Sequence, residues 1–325
     1  MARRPSTAVT PIAAVSSPAT RAAEAEAVQS YALAEKADAT RRAYRSDFEI
    51  FGAWCRAQRN VEPLGASPDT VAAYLATQAS AKVKPSTLTR RLAAISYAHR
   101  LAGLESPAGH EAVRAVMRGI RRKSGTAPAR KAPATADRIA AMLQAISSDT
   151  LRGKRDQALL LLGFAGAFRR SELVALEMED LTFEPEGIRV LVRRSKADQE
   201  RQGQEIAILR GTKLRPVAAL QAWLTAAGVM AGPVFRSVNR HGQVGKALTA
   251  QSVALVVKRH ADAAGLDPDT FAGHSLRSGF LTSAAEAGAD VLRMMEVSRH
   301  KRVETMQGYV RRASLFKGHA GAGFL

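Results

Sequence analysis

The chain has 325 residues, 46% of them hydrophobic, which is enough for two ordinary domains with cores of their own. Its 48 Lys and Arg outnumber 29 Asp and Glu, and the net charge of +19 favours a polyanionic partner such as nucleic acid over a membrane surface. No apolar run is long enough to span a membrane, and three prolines interrupt the Ala-rich N-terminus, which argues against a secretory signal. We therefore expect an intracellular protein.

Composition predicts four segments along the chain. Residues 1–27 are rich in Ala, Ser, Thr and Pro without periodicity and are predicted to be a disordered arm. A helical domain is expected over 28–123. A linker rich in Pro, Gly and positive charge follows at 124–133, and a second, larger domain occupies 134–325.

Apolar periodicity and capping signals predict four helices in the first domain. The first helix is predicted to span Thr40 to Gln58, and the fourth to span Glu111 to Arg122. The second is predicted to begin at Ser67-Pro68 and the third near Ser86. The single cysteine, Cys55, cannot form an internal disulfide and falls on the apolar stripe of the first helix, so a buried core thiol is expected. The histidines do not cluster with one another or with Cys55 at ligand spacing, so no metal site is predicted.

Positive charge is concentrated around the fourth helix. Residues 82–131 contain twelve Lys or Arg side chains but only two acids, Glu105 and Glu111, and carry about half of the net charge. A solvated helical face would normally mix signs, so contact with a phosphate backbone is the favoured interpretation. The residues predicted to bind DNA are Lys84, Arg90, Arg91, Arg114, Arg118, Arg121, Arg122 and Lys123, together with Arg240 and Lys246 of the second domain.

The second domain is predicted to be mainly helical with one β-hairpin. Two β-prone runs, Ile188 to Val192 and Glu205 to Leu209, flank a polar tip that contains Lys196. The segment S-V-N-R-H-G-Q-V-G-K, residues 237–246, lacks the Ser or Thr of a phosphate-binding loop and is predicted to be a basic loop facing DNA. Helices are expected near 153–166, 170–177, 215–227, 249–264, 275–287 and 289–297.

Six side chains in this domain have the chemistry of phosphodiester cleavage. Tyr309 follows His300 by nine residues and follows His274 of an H-S-L-R motif by 35. A tyrosine can attack a phosphate, arginine forks can bind its oxygens, a histidine can accept the phenolic proton and a lysine can protonate the leaving oxygen. The candidate catalytic residues are Arg169, Lys196, His274, Arg277, His300 and Tyr309.

The order of these motifs resembles that of the tyrosine recombinases, the phage-integrase family of the Cre and Xer type. The box F-R-R-S-E-L aligns Arg169, rather than Arg170, with the family arginine, and Arg193, Arg194 and Arg201 could share the phosphate role of Lys196. There are two departures: Ala167 stands where glycine is common, and Ser298-Arg299 stands where the family often has Leu-Gly. Neither departure removes a reacting group.

The resemblance implies a small all-helical, SAM-like core-binding domain and a mixed α/β catalytic domain of the tyrosine recombinase type, so the fold class is mainly α with a small β-hairpin or sheet. It implies attack by Tyr309 on the scissile phosphate, a 3′-phosphotyrosyl bond and a leaving 5′-hydroxyl, with no cofactor and no metal. The implied partners are double-stranded DNA and further copies, as a homotetramer on two sites and a monomer or dimer off DNA. The expected location is the cytoplasm of a bacterium, associated with the nucleoid.

Three further interpretations remain open on the sequence. Glu172 and Asp180 either orient an arginine or the histidine base, or simply cap helices. The tail beyond Tyr309, which ends in apolar residues, either docks on a neighbouring protomer or frays. The function could instead be that of a type IB topoisomerase, which rejoins the same strand as a monomer, or of a DNA-binding protein without chemistry.

Overall fold

The computed structural model describes Glu26 and residues 35–126, 131–193 and 203–313. The predicted arm, apart from Glu26, and the predicted docking tail after Ala313 lie outside the described residues. The chain divides into two compact units, Met1–Pro128 and Ala129–Leu325. The domain and linker boundaries drawn from composition stay predictions. Within the described ranges, no helix is long and apolar enough to cross a membrane.

The described part of the first unit contains four α-helices. They are α1 (Asp38–Arg59), α2 (Pro68–Ser80), α3 (Pro85–Leu101) and α4 (Glu111–Ser124). The four predicted helices are therefore confirmed. Ser67 caps α2 as expected, because its Oγ accepts a hydrogen bond from the Thr70 N–H at 3.2 Å and Pro68 occupies the first turn.

Side chains from all four helices form the core of the first unit. Phe51, Tyr74 and Ile95 are fully buried, and the rings of Phe51 and Tyr74 meet edge to face with centroids 5.0 Å apart. Cys55 is buried in the same cluster, which confirms the expected core thiol. The apolar stripe of α4 also faces this core, so the arginines of that helix are left on its exposed side.

The described part of the second unit is mainly helical, with two small antiparallel sheets. Its helices are α5 (Ala136–Gln144), α6 (Leu151–Ala165), α7 (Arg170–Val174), α8 (Pro216–Ala227), α9 (Ala250–Ala263), α10 (Ser275–Glu286), α11 (Val291–Ser298) and α12 (Val303–Ala313). Its strands are β1 (Leu181–Phe183), β2 (Gly187–Val192), β3 (Gln204–Leu209), β4 (Arg236–Val238) and β5 (Val244–Ala247). The predicted fold class, mainly α with a small β-element, is confirmed.

The predicted hairpin forms part of a three-stranded antiparallel sheet with the order β1-β2-β3. Ile188 pairs with Ile208 and Val190 with Ile206, and these side chains are buried. The tip of the hairpin, including Lys196, lies outside the described residues.

The segment 237–246 is a second hairpin, β4–β5, and the prediction of a loop there was wrong. Val238 pairs with Val244 across the hairpin, and Val238 is buried. These strands are short and carry few β-branched residues, so the alternation that signals a strand is nearly absent from the sequence. Arg240 lies in the turn and Lys246 on β5, where both side chains are exposed.

Helix α6 passes through the core of the second unit. Residues 158–162 are all buried, because neighbouring elements cover the helix on every side. A Cβ on Gly163 would approach Leu276 of α10 to 2.7 Å and Leu173 of α7 to 3.0 Å. The missing side chain therefore lets α7 and α10, which bear the arginine motifs, pack closely on the end of α6.

A separate apolar cluster joins the last three helices. Leu281 of α10, Met294 of α11 and Met306 of α12 are buried together, and Tyr309 packs against them. Helix α12 therefore docks on α10 of its own chain and brings Tyr309 close to the helix that follows His274.

Candidate active site

Arg169 lies in the turn between α6 and α7, where its partner is Glu172. The Arg169 backbone N–H donates to Glu172 Oε2 at 2.9 Å, and Arg169 Nη1 donates to Glu172 Oε1 at 2.5 Å. Burial raises the pKa of Glu172, but Arg299 and Arg169 outweigh burial and hold this pKa below its usual range. A single buried carboxylate thus both caps α7 and contacts the arginine. The two roles that the sequence left as alternatives for Glu172 are therefore compatible with each other.

Arg277 is a buried cation near the start of α10, with only 1% of its surface exposed. Its Nη1 donates to the Ala167 carbonyl oxygen at 2.7 Å, and its Nη2 lies 3.1 Å from His300 Nδ1. Burial, together with Arg169 and Arg299, lowers the pKa of Arg277 to about 9, so the guanidinium stays charged at neutral pH. Its buried Nε has no hydrogen-bond partner among the described residues. A buried, incompletely partnered cation is suited to receive an anion.

His300 is held as a neutral hydrogen-bonding group. Ser298 Oγ lies 2.6 Å from the Met294 carbonyl oxygen and 2.8 Å from His300 Nδ1, and its one hydroxyl proton can be donated to either. Burial, then Arg277 and Arg169, lower the pKa of His300 to about 3, so the ring is neutral at physiological pH. Because Arg277 can only donate and is nearest to Nδ1, we assign the ring proton to Nε2. His300 is therefore a donor rather than a cation.

His274 and Tyr309 line the same cavity, which has a volume of about 630 Å³. Burial, then Arg277 and Arg169, lower the pKa of His274, which leaves this imidazole neutral and able to accept a proton at pH 7. Tyr309 is half-buried and lies close enough to Arg277 to act on it electrostatically. The cavity thus joins a phenol and a neutral base, and the buried cation Arg277 acts electrostatically on both.

The structure brings together five of the six predicted catalytic residues. They are Arg169, His274, Arg277, His300 and Tyr309. The sixth, Lys196, lies outside the described residues. Across residues 35–126, 131–193 and 203–313, no group of three or more His, Cys, Asp or Glu side chains is arranged to hold a metal ion.

Arg299 also lies in this site, although no role was predicted for it from the sequence. Its side chain is 1% exposed, and its Nη2 donates to Glu172 Oε2 at 2.8 Å. The available signal was the basic residue directly before His300, at a position where glycine is common among tyrosine recombinases. A surface cation would have the same appearance in a sequence, so only the fold shows that this arginine points inward.

Asp180 contacts the base of the hairpin. Its Oδ2 accepts a hydrogen bond from the Glu177 N–H at 3.0 Å, and its Oδ1 pairs with Arg193 at the end of β2. These contacts fit both hypotheses for Asp180, because the carboxylate caps the turn at Glu177 and also holds an arginine. They also engage Arg193, one of the cations that could share the role of Lys196.

The predicted DNA-binding residues differ in how much of the side chain is presented to solvent. Arg118 is 61% exposed and pairs with Glu111, whereas Arg91 is 13% exposed and bonds to Gln78. Arg91 therefore points inward, which is unsuited to a phosphate contact. Arg90 is exposed and pairs with Asp47, and the exposed remainder are Lys84, Arg114, Arg121, Arg122, Lys123, Arg240 and Lys246.

Residues 134–314 match the model of the phage integrase family. The chain belongs to the phage integrase family. It is 41% identical over 291 residues to the integrase/recombinase xerD homologue of Selenomonas ruminantium, and the aligned region covers 88% of this chain and 85% of the relative. It is also 25% identical over 284 residues to recombinase cre of Escherichia phage P1, covering 80% of each chain.

Two solved structures of integrases show the same fold as this family member. The Tn1549 transposon integrase, in complex with transposon right end DNA, matches with a TM-score of 0.61 at 18% identity, over 89% of this chain and 96% of that one. The lambda integrase dimer bound to a COC′ core site matches with a TM-score of 0.60 at 19% identity, over 89% and 75%. At such identities the likeness shows the fold alone.

The comparisons confirm the resemblance to the tyrosine recombinases stated from the motifs. They support an enzyme with site-specific recombinase function. Neither a type IB topoisomerase nor a DNA-binding protein without chemistry is favoured by them.

Proposed function

We propose that this phage integrase-family protein is a site-specific DNA recombinase that cleaves through a 3′-phosphotyrosyl intermediate at Tyr309. The observation that carries the proposal is the buried, charged Arg277, whose Nη2 contacts His300 and whose neighbours include Tyr309. A guanidinium enclosed to this degree needs an anionic partner, and a phosphodiester entering the cavity beside Tyr309 would supply one.

The proposed cleavage step assigns one chemical task to each group. The Tyr309 oxygen attacks phosphorus and forms a P–O bond, while the bond from phosphorus to the 5′-oxygen of the next nucleotide breaks. Arg169 and Arg277 bind the two non-bridging oxygens, whose charge increases in the transition state. Because the phosphotyrosyl link keeps the energy of the broken bond, rejoining needs no nucleotide triphosphate.

Proton transfer in this step uses the neutral imidazole and the hairpin lysine. His274 accepts the phenolic proton, which a tyrosine with an ordinary pKa of about 10 would otherwise retain at neutral pH. Lys196 donates a proton to the leaving 5′-oxygen. His300, with its proton on Nε2, donates a hydrogen bond to a phosphate oxygen without adding charge.

The basic face of α4 supports duplex DNA as the partner. Arg114, Arg118 and Arg122 are exposed on the side of the helix that does not face the core. The Tn1549 and lambda integrases, which share this fold, are each seen in complex with DNA. We infer that the first unit contributes the sequence-independent phosphate contacts and that the second unit carries the chemistry.

Arg118→Ala is expected to weaken DNA binding at every sequence tested and to leave the cleavage rate at saturating protein unchanged. Loss of one phosphate contact should reduce the slope of log K against log salt concentration by about 1. Binding titrations at several salt concentrations would measure that slope. The matched control is Arg293→Ala, which also removes an exposed, ion-paired arginine. An equal effect of both variants would contradict the proposed DNA interface.

Recombination also requires a homotetramer on two DNA sites, so that strands are exchanged between duplexes. The test is to mix two labelled duplexes of different length that carry the same target site and to resolve the products on a gel. Products of recombinant length are expected, together with a DNA complex of four protein copies by light scattering. Relaxation of supercoiled DNA by a monomer, without recombinant products, would instead indicate a topoisomerase.

A further inference from the structure

Two residues beside the active site have left-handed backbones although neither is glycine. Ala167 has a φ of 45° and precedes Arg169 by two positions, while Arg299 has a φ of 57° and directly precedes His300. A side chain makes this conformation costly, so glycine is the residue that usually occupies it. Two such positions flanking reacting groups must therefore be stabilised by other contacts.

The Arg299 side chain supplies those contacts from inside the protein. Its Nη2 donates to the Ala167 carbonyl oxygen at 3.1 Å and to Glu172 Oε2 at 2.8 Å, while its Nη1 donates to the Gly166 carbonyl oxygen at 3.1 Å. Its Cζ lies 5.1 Å from the centroid of the Phe168 ring. One guanidinium therefore contacts three successive residues of the turn that ends in Arg169.

Two of the acceptors that Arg299 uses also hold the catalytic arginines. The Ala167 carbonyl oxygen also accepts from Arg277 Nη1 at 2.7 Å, and Glu172 Oε2 also accepts from the Arg169 N–H at 2.9 Å. The backbone of Arg299 ends α11, where the His300 N–H donates to the Met295 carbonyl oxygen at 3.3 Å. Arg299 is thus connected to Arg169 and Arg277 through shared acceptors and to His300 through the chain.

We propose that Arg299 is a positioning residue that sets the relative placement of Arg169, Arg277 and His300 for cleavage. A glycine at this position would adopt the backbone freely but would leave the turn before Arg169 unattached. This chain instead uses one buried guanidinium to join the two left-handed positions. The inference rests on the proposed recombinase function and adds to it a residue that does not contact the DNA.

Arg299→Gly tests the proposal, because glycine accepts the left-handed backbone at φ 57° and ψ 41°. The rate of covalent adduct formation on a nicked duplex is expected to fall about 100-fold at saturating protein, the loss typical of a displacement near 1 Å in an active site. DNA affinity per folded molecule should remain within about threefold of the wild type, since the removed side chain is buried. The folded fraction is measured alongside and the rate is expressed per folded molecule, because loss of one partner of the buried Arg299–Glu172 pair destabilises the fold. Asn60→Gly, at the left-handed end of α1, is the matched control and should cleave at the wild-type rate.

A pH profile separates positioning from simple stabilisation of the fold. The charged and titratable groups that act on or contact Glu172 are Arg169, Arg299, Arg277 and His274. With Arg299 removed, burial is opposed by fewer cations, so the pKa of Glu172 should rise and Arg169 should lose its carboxylate partner at a higher pH. In the pH–rate profile of Arg299→Gly, the fall of the cleavage rate on the acid side is therefore expected at a higher pH than in the wild type.

Arg299→Lys is the second variant, because it keeps the charge but cannot reach all the acceptors of the fork. Its cleavage rate should lie between those of the wild type and Arg299→Gly, at an unchanged folded fraction. If Arg299→Gly does not fold, the Arg299→Lys rate decides alone: a loss supports positioning, and the wild-type rate overturns it.

The proposal is also overturned if Arg299→Gly cleaves within threefold of the wild type, or if its loss only follows the folded fraction with an unmoved pH profile. Failure of the proposed function is a different result. In that case the wild-type protein itself would form no Tyr309-dependent adduct with any duplex.

Discussion

Tyr309→Phe is expected to abolish the covalent protein–DNA adduct, with a loss of roughly 10⁴-fold or more in the cleavage rate. The phenolic oxygen is the only atom removed, and no other group in the proposed step can replace it as the nucleophile. The ring of Tyr309 packs against the cluster of Leu281, Met294 and Met306, and phenylalanine keeps that packing. The folded protein and its DNA affinity should therefore be retained.

The measurement is a denaturing gel of nicked duplexes, drawn from DNA flanking the gene, after incubation with each protein. On such a substrate the severed strand diffuses away and the adduct accumulates. Tyr97→Phe provides the matched control, because it also removes one hydroxyl, from a residue whose ring packs at a tilt against Tyr44 in the first unit. An adduct that persists in Tyr309→Phe would assign the nucleophile to another residue, and sequencing of the wild-type adduct would identify the target site.

Arg277→Lys is the second change with a large expected effect. The substitution keeps one positive charge but removes the planar guanidinium, which contacts the Ala167 carbonyl oxygen through Nη1 and His300 through Nη2 at the same time. We expect the cleavage rate to fall by 10²- to 10³-fold, about 3 to 4 kcal/mol of transition-state stabilisation. DNA affinity should fall only a few-fold, since Arg277 is one of many phosphate contacts.

Arg170→Lys is the control for that experiment. Arg170 is the exposed neighbour of Arg169. Surface substitutions of this kind usually change the free energy of unfolding by about 0.5 kcal/mol or less. The cleavage rate of Arg170→Lys should therefore stay within about twofold of the wild-type rate. Parallel single-turnover cleavage and binding titrations on all three proteins would measure both quantities. Equal losses of binding in Arg277→Lys and Arg118→Ala would contradict the division between a chemical site and a binding face.

The depressed histidine pKa values bear on both experiments. His274 must be neutral to accept the phenolic proton, and because its pKa lies below the ordinary 6.5, that form is present throughout the neutral range. His300, with a pKa of about 3, does not change its charge at all over that range. The cations Arg277 and Arg169 contribute to both shifts, so the same groups that attract the phosphate keep the base ready.

The site was predictable from the sequence wherever its signal was local. The H-S-L-R motif and the tyrosine nine residues after His300 have fixed spacings along the chain, and the structure brings His274, Arg277, His300 and Tyr309 together. The first four helices and the β2–β3 hairpin were likewise predictable, because periodicity and caps are properties of neighbouring residues. The β4–β5 hairpin was missed because its strands are too short to show a period.

The sequence by itself determined the family, the reacting groups and the order of most helices, since each of these depends on residues close together in the chain. Only the tertiary structure decided which cations point inward. Arg91 and Arg299 look like surface arginines in the sequence, yet the fold turns one toward Gln78 and the other toward Glu172 and the Ala167 carbonyl oxygen. Those contacts span up to 132 residues, and because the same local sequence is compatible with an arginine in solvent, no local pattern encodes them.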